Sequence, residues 1–248
     1  MKNQNTNPIL GICQLCLKVG ELCNSHIIPE FLYKKLYNKN HQMMGINGRF
    51  RKGWKPVQIG EREHLLCESC EQHLANKIES AFKAMWVEAN PLPDPWPSTE
   101  HIAQIKVDYP LFKLFHLSVL FRAGVSTRPQ FNCVRLGSHE EKLREMLLEL
   151  NPGKQNDYQI FGYAVIDPKT NRIRKLIAGA DQKKFDGLRW YRFIYGGVWW
   201  WISASSHANL NMAPITLREN GTMVIRWFDW SNIPIIQKAS ALLRNSKV

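Results

Sequence analysis

Cys13-Gln-Leu-Cys16, Leu22-Cys-Asn-Ser-His26-Ile-Ile-Pro29 and Leu65-Leu-Cys67-Glu-Ser-Cys70 are the stretches on which the reading of this chain turns. Two residues between thiols let a tight turn aim both sulfurs at one tetrahedral ion, and two such turns complete a four-thiolate zinc site of Cys13, Cys16, Cys67 and Cys70. The alternative is a set of unrelated cysteines that share a spacing. Fifty residues separate Cys16 from Cys67, more than a compact ribbon needs, so the zinc would clamp an inserted structure. Cys23 and Cys133 have no partner at ligand spacing and read as ordinary buried thiols. Between the pairs, His26 precedes two β-branched residues and Pro29, which stop a strand and open a helix. A histidine at a strand end beside a zinc clamp can face outward as a general base. It can equally satisfy a turn or cap the helix.

Working outward, the composition narrows the class. Hydrophobic residues make up 44% and charged residues 22% of 248, values of a globular chain that exclude disorder, collagen and coiled coil. Lys and Arg outnumber Asp and Glu by 33 to 21, a formal +12, which points to a polyanionic partner. The N-terminal stretch Met1-Lys-Asn-Gln-Asn-Thr-Asn-Pro8 lacks an apolar signal-peptide core. The longest apolar run, around Ile194 to Ala204, is about half a bilayer span. The expectation is a cytoplasmic protein with no membrane partner, in which cysteines serve as thiols or metal ligands.

Four prolines alternate through Pro91, Pro93, Pro95 and Pro97, forbidding helix and leaving an extended connector. The expected organisation is a zinc-bound module over 1–90, a connector over 91–99 and an α+β domain over 100–248 with regulatory, substrate-sensing or oligomerisation roles. In the second half, helical spacing predicts a helix over Tyr109 to Ala123. Ser138-His-Glu-Glu141 predicts a capping box opening a second helix that ends at Leu150. Strands are expected at 160–166, 172–177, 189–194, 198–203, 214–218 and 222–228, forming an antiparallel sheet, with a closing helix over 233–244. Neighbouring strand residues alternate faces, so Trp199, Trp200 and Trp201 cannot all face one core. One of them is expected to cover a second layer or a partner, whether another copy or a companion protein.

The C-x2-C pair, the strand ending in His-Ile-Ile-Pro, and Leu-Leu-Cys-x2-Cys leading into a helix resemble the HNH endonucleases, whose core is a ββα-metal, treble-clef module. The similarity covers about residues 11 to 85. It implies that His26 deprotonates the water attacking a phosphodiester and that one divalent ion, Mg²⁺ or Mn²⁺, stabilises the phosphorane and leaving oxygen. Ser25 stands where the family often has a metal-binding Asp, Arg62 where it has the middle Asn, and Glu71 where it has His or Asn. Glu71 reads either as a ligand for that ion or as an acid favoured at a helix N-terminus. His64 could complete the ion site or lie exposed on a strand. His73 reads as solvated, or as helping zinc or DNA. Glu79 stands two turns from Glu71, too far for one shared ion unless the chain folds back.

Between Glu30 and Glu61 there is no acid, while Lys34, Lys35, Lys39, Arg49, Arg51, Lys52 and Lys55 supply positive charge, with Phe50 and Trp54 among glycines. Such a segment follows a phosphate backbone by charge and offers rings to bases, or is a solvated loop. The expected function is metal-dependent hydrolysis of DNA, or of RNA, with antiviral defence as a natural setting. The competing expectation is a non-catalytic zinc module that only binds nucleic acid.

Overall fold

The structure, a computed structural model, describes residues 8–45, 55–58 and 60–244. Strand β1 (Leu10–Ile12) and strand β2 (Val19–His26) run antiparallel, and the turn between them carries Cys13 and Cys16. Leu17 takes a left-handed φ of 60° there, and its N–H reaches the Cys13 carbonyl at 2.8 Å. Pro29 then sets up the short helix α1 (Glu30–Tyr33), which tightens into a 3-10 turn over Lys34–Leu36. A small hairpin follows, β3 (Met43–Gly45) with β4 (Lys55–Val57). Strand β5 (Arg62–Cys67) returns alongside β2 and delivers Cys67 to the start of the next helix.

That helix, α2, is composite. It is α-helical over Glu68–Leu74 and Ser80–Phe82 and π-helical over Ala75–Glu79 and Lys83–Glu88. Its apolar stripe of Leu74, Ile78, Phe82 and Trp86 is buried. Helix α3 (Tyr109–Val125) is opened by Asp108, whose carboxylate accepts the Leu111 N–H at 3.0 Å. Every residue from Phe112 to Ala123 is buried, with Lys113, His116, Ser118 and Arg122 enclosed among the apolar side chains. Phe82 of α2 stacks on Phe115 of α3 with ring centroids 3.6 Å apart. One buried cluster therefore runs from Cys13 and Leu15 through α2 and α3 to Trp200 and Ile225. The proline-rich stretch joins it: Leu92 and Trp96 are buried, and the Trp96 indole donates to the Glu100 carbonyl at 2.9 Å.

Helix α4 (His139–Glu149) packs on α3 and ends at Leu150 with a left-handed φ of 54°. The expected capping box does not form. Ser138 is itself helical, with no side-chain cap, because the turn before it presents the Leu136 and Gly137 carbonyls to the N–H groups of His139 and Glu140.

The large sheet is α+β in context and mixed rather than wholly antiparallel. Its strands are β6 (Ile102–Lys106), β7 (Ile160–Asp167), β8 (Arg172–Ile173), β9 (Ala178–Phe185), β10 (Leu188–Tyr195), β11 (Val198–Ser203) and β12 (Thr222–Asp229). The order is β6-β12-β7-β11-β10-β9, with β8 beside β7, and the β12–β7 pair is parallel. The strand expected over 172–177 is only two residues long; the Arg174 N–H still donates to the Val165 carbonyl of β7 at 2.7 Å, and residues 175–177 run on outside any strand. The strand expected over 214–218 is a run of turns in which Ile215 and Thr216 both donate to the Met212 carbonyl. That segment sets Met212 and Ile215 against the outer sheet face. The three tryptophans divide as pleating requires: Trp200 enters the main core, while Trp199 and Trp201 join a second cluster with Ile233, beside helix α5 (Pro234–Arg244). No helix among the described residues is long and apolar enough to cross a membrane.

Candidate metal centre and adjoining cavity

The β1–β2 turn brings Cys13 and Cys16, and the start of α2 brings Cys67 and Cys70, so that all four sulfurs lie within 4.8 Å of one another. Tetrahedral Zn²⁺ with Zn–S bonds of about 2.3 Å sets S···S edges near ~3.8 Å, and Cys16 Sγ and Cys67 Sγ are 3.7 Å apart. The donor set and spacing fit zinc. The knot is held from both sides: the Gln14 N–H donates to the Leu65 carbonyl at 2.9 Å, and the Cys13 N–H to the Lys18 carbonyl at 2.9 Å.

Protonation within the knot is uneven. Burial raises the Cys67 thiol, but the Ser69 hydroxyl, 3.2 Å away, and the Cys70 N–H outweigh it and bring the group to about 6. Burial pushes the Cys16 and Cys70 thiols upward. Metal binding to such a set releases protons.

Beside the knot lies an open cavity lined by Cys23, Asn24, His26, Glu30, Lys34, Glu71, Glu79 and Arg122, among others. His26 ends β2, and its Nε2 stands 2.7 Å from Arg62 Nε and 2.5 Å from Glu30 Oε2. Glu30 is fixed in turn by the Tyr37 hydroxyl at 3.0 Å. One ring nitrogen offers one in-plane hydrogen-bond site, so Arg62 and Glu30 compete for it. Burial, and then the Arg62 guanidinium, lower the His26 pKa against the pull of Glu30. The net direction, downward, favours the unprotonated imidazole.

Glu71 faces the same cavity from the first turn of α2, and its Oε1 is buried without a hydrogen-bond partner among the described residues. Glu79 joins it. Eight residues of pure α-helix end about 80° out of phase, and the intervening wider i→i+5 turns reduce that offset.

Arg122 reaches the cavity from α3. Its side chain is 1% exposed, Nη1 donates to the His26 carbonyl at 2.9 Å, and Nη2 donates to Glu79 Oε1 at 2.7 Å. A residue of the second half thus holds the end of the strand that carries His26. Replacing Arg122 by methionine would strand the Glu79 carboxylate and the His26 carbonyl. The expected loss of unfolding free energy in urea is about 3–5 kcal/mol.

The remaining candidates fall elsewhere. Ser25 is buried, donates to the Cys23 carbonyl at 3.3 Å and does not line the cavity. His64 sits across from Asn24 on β5 and does not line it either. His73 Nε2 lies 2.9 Å from the Leu147 carbonyl and joins α2 to α4 rather than serving the zinc. Lys34 lines the cavity, whereas Lys35 turns to the Val87 carbonyl at 3.4 Å. Arg49, Arg51 and Lys52 lie outside the described residues, as does the side chain of Lys55 on β4.

Sequence reasoning missed Glu30, Glu79 and Arg122 as members of this site. Glu30 carried a signal, since it stands four residues after His26 at the start of a helix. Arg122 carried another, as one of two cations, with Lys113, in a mostly apolar helix. No family model, no curated protein and no solved structure matches this chain.

Proposed function

We propose that the chain is an HNH-like nuclease whose treble-clef zinc knot fixes His26 as the general base for phosphodiester hydrolysis in DNA. The observation that carries this reading is the cavity where the His26 imidazole meets three carboxylates and two cations beside a four-cysteine cluster. Glu71 and Glu30 would hold the divalent cation, with Glu79 nearby. Carboxylate oxygens suit Mg²⁺ or Mn²⁺, and the orphaned Glu71 Oε1 is a donor to spare. Such an ion, when bound, offsets charge building on the phosphate and the leaving oxygen.

The chain's own residues do the rest. Lys34 attracts the phosphate to the cavity. A phosphate oxygen draws the Arg62 guanidinium from the imidazole, because an anion accepts more strongly than a neutral ring nitrogen. With Glu30 drawn to the cation, His26 Nε2 would accept the proton of the attacking water as the water oxygen bonds to phosphorus and the ester P–O bond breaks, and the imidazolium would return that proton to solvent after the leaving oxygen departs. Arg122 keeps the strand end in place throughout.

A base must be deprotonated to act, so cleavage should rise with pH through the His26 pKa and then level off. Because that pKa lies below the ordinary histidine value of about 6.5, the plateau should already be reached near neutrality. A pH–rate profile checks this, and a midpoint above 7 would contradict it.

One observation favours non-catalytic nucleic-acid binding as a second reading: Arg62 occupies the nitrogen a base needs free. Supercoiled plasmid incubated with the protein in Mg²⁺, Mn²⁺ or Ni²⁺ decides between them. Nicked or linear product supports the nuclease. Intact plasmid in every metal, with binding preserved, supports the second reading.

A further inference from the structure

We propose that a second nucleic-acid-binding surface, built by Arg128, Arg135, Lys184 and Arg189, extends from β5 across the edge of the large sheet. The inference rests on the reading of the chain as a binder of phosphodiester polymers, and it assigns that role to residues of the second half. Its geometry begins at the strand that carries Arg62. Glu63 of β5 accepts the Ser126 hydroxyl at 2.6 Å and the Thr127 N–H at 3.0 Å, and Gln130 donates to Glu61 at 2.8 Å. The loop after α3, with Arg128 exposed on it, is thereby stitched to β5.

From there the surface passes to the sheet edge. A Cβ on Gly179 of β9 would lie 3.3 Å from the Gln130 backbone oxygen, so loop and edge strand are in direct contact. On the β9–β10 hairpin Lys184 lies directly opposite Arg189. Arg189 Nη1 donates to the Arg135 carbonyl at 3.4 Å, and the Tyr191 hydroxyl donates to that same carbonyl at 2.6 Å. Arg135, Lys184 and Arg189 are therefore neighbours, and all are exposed.

Like charges directly across a strand pair repel. Among the described residues none of Arg128, Arg135, Lys184 and Arg189 has a salt-bridge partner. Asp181 is paired with Arg192, whereas Asp186, Glu61 and Glu63 accept only from neutral groups; Glu61 and Glu63 also lie within electrostatic reach of Arg128, so Arg128 marks the end of the band and Arg135, Lys184 and Arg189 carry it. An external polyanion relieves the repulsion. A duplex suits an elongated band better than a small anion does, because its phosphates repeat along the whole length and each neutralised contact releases a counterion.

The test is binding of a 30-base-pair duplex DNA by the zinc-loaded full chain without added Mg²⁺, followed by fluorescence anisotropy between 50 and 200 mM salt. Arg135→Ala/Lys184→Ala/Arg189→Ala should flatten the slope of log K against log salt by about 2 to 3, at roughly 0.9 per lost phosphate contact. Affinity at 100 mM salt should fall at least ten-fold. Lys169→Ala, an exposed cation on the turn after β7, should leave both quantities unchanged. All four substitutions are on the surface, so a thermal melt matching wild type shows that the fold is kept.

A triple variant that melts normally and keeps the wild-type slope overturns the proposal while leaving the nuclease reading intact. A flattened slope in a protein that never cleaves supports this surface and sinks the nuclease instead. Binding of phosphatidylserine vesicles without binding of the duplex overturns the proposal in favour of a membrane partner.

Discussion

Replacing Cys67 by serine is expected to remove bound zinc and to lower thermal stability in the same step. Cys67 joins β5 to α2 and lies 3.7 Å from Cys16 across the knot. Below the knot, Leu15, Leu65, Leu66 and Leu74 are buried, so losing the metal that ties the first turn of α2 to the β1–β2 turn should loosen this packing. Structural zinc contributes about 10–16 kcal/mol of apparent binding free energy in small zinc domains. A typical domain has a margin of only about 5–15 kcal/mol, so losing a fraction of the zinc term is enough to unfold this part of the chain. Metal analysis by mass spectrometry and a thermal melt of the same preparation check the result. Cys133→Ser serves as the control, since its sulfur contacts the Ala180 carbonyl at 3.2 Å and takes no part in the cluster. A Cys67→Ser protein with wild-type zinc content and melting temperature would contradict the clamp.

His26→Ala carries the second large effect. Loss of a general base typically costs about 10²–10⁴ in rate. Duplex binding should stay within a few-fold of wild type, because Lys34 and the basic surfaces are untouched and Arg62 is left free for phosphate. The substitution removes a side chain that is 14% exposed, and Arg122 still holds the backbone of that strand end through the residue 26 carbonyl. The fold should therefore survive, and circular dichroism would verify it. Glu71→Gln makes a useful companion: it should raise the metal concentration needed for half-maximal cleavage without altering the pH midpoint.

Much of this arrangement was legible in the sequence because its signals are local. A C-x2-C pair reports its own turn, and His-Ile-Ile-Pro reports a strand ending against a helix start. Alternating faces implied that Trp199, Trp200 and Trp201 would not share one core, and they fall in two clusters. What could not be read was set by partners distant along the chain. Arg122 meets His26 across 96 positions, and no spacing rule links them. Glu79 reaches the cavity with the help of π turns that the sequence does not announce. Strand β9 opens on small residues, is polar from Asp181 to Lys184 and is exposed over its second half, so it lacks the apolar alternation by which strands are recognised. The parallel β12–β7 pairing is likewise a property of topology. Ser25 shows the converse: a position matched to a family motif, yet turned by the strand's pleat towards the Cys23 carbonyl.

Chemical rescue of His26→Gly addresses the central claim most directly. The cavity is open to solvent, so free imidazole can take the place of the missing ring. Zinc-loaded His26→Gly in Mn²⁺ should leave supercoiled plasmid intact, and added imidazole should restore nicking in proportion to its unprotonated fraction. If the variant instead cleaves at the wild-type rate with no imidazole present, the ring at position 26 is not the base and the proposed mechanism is wrong.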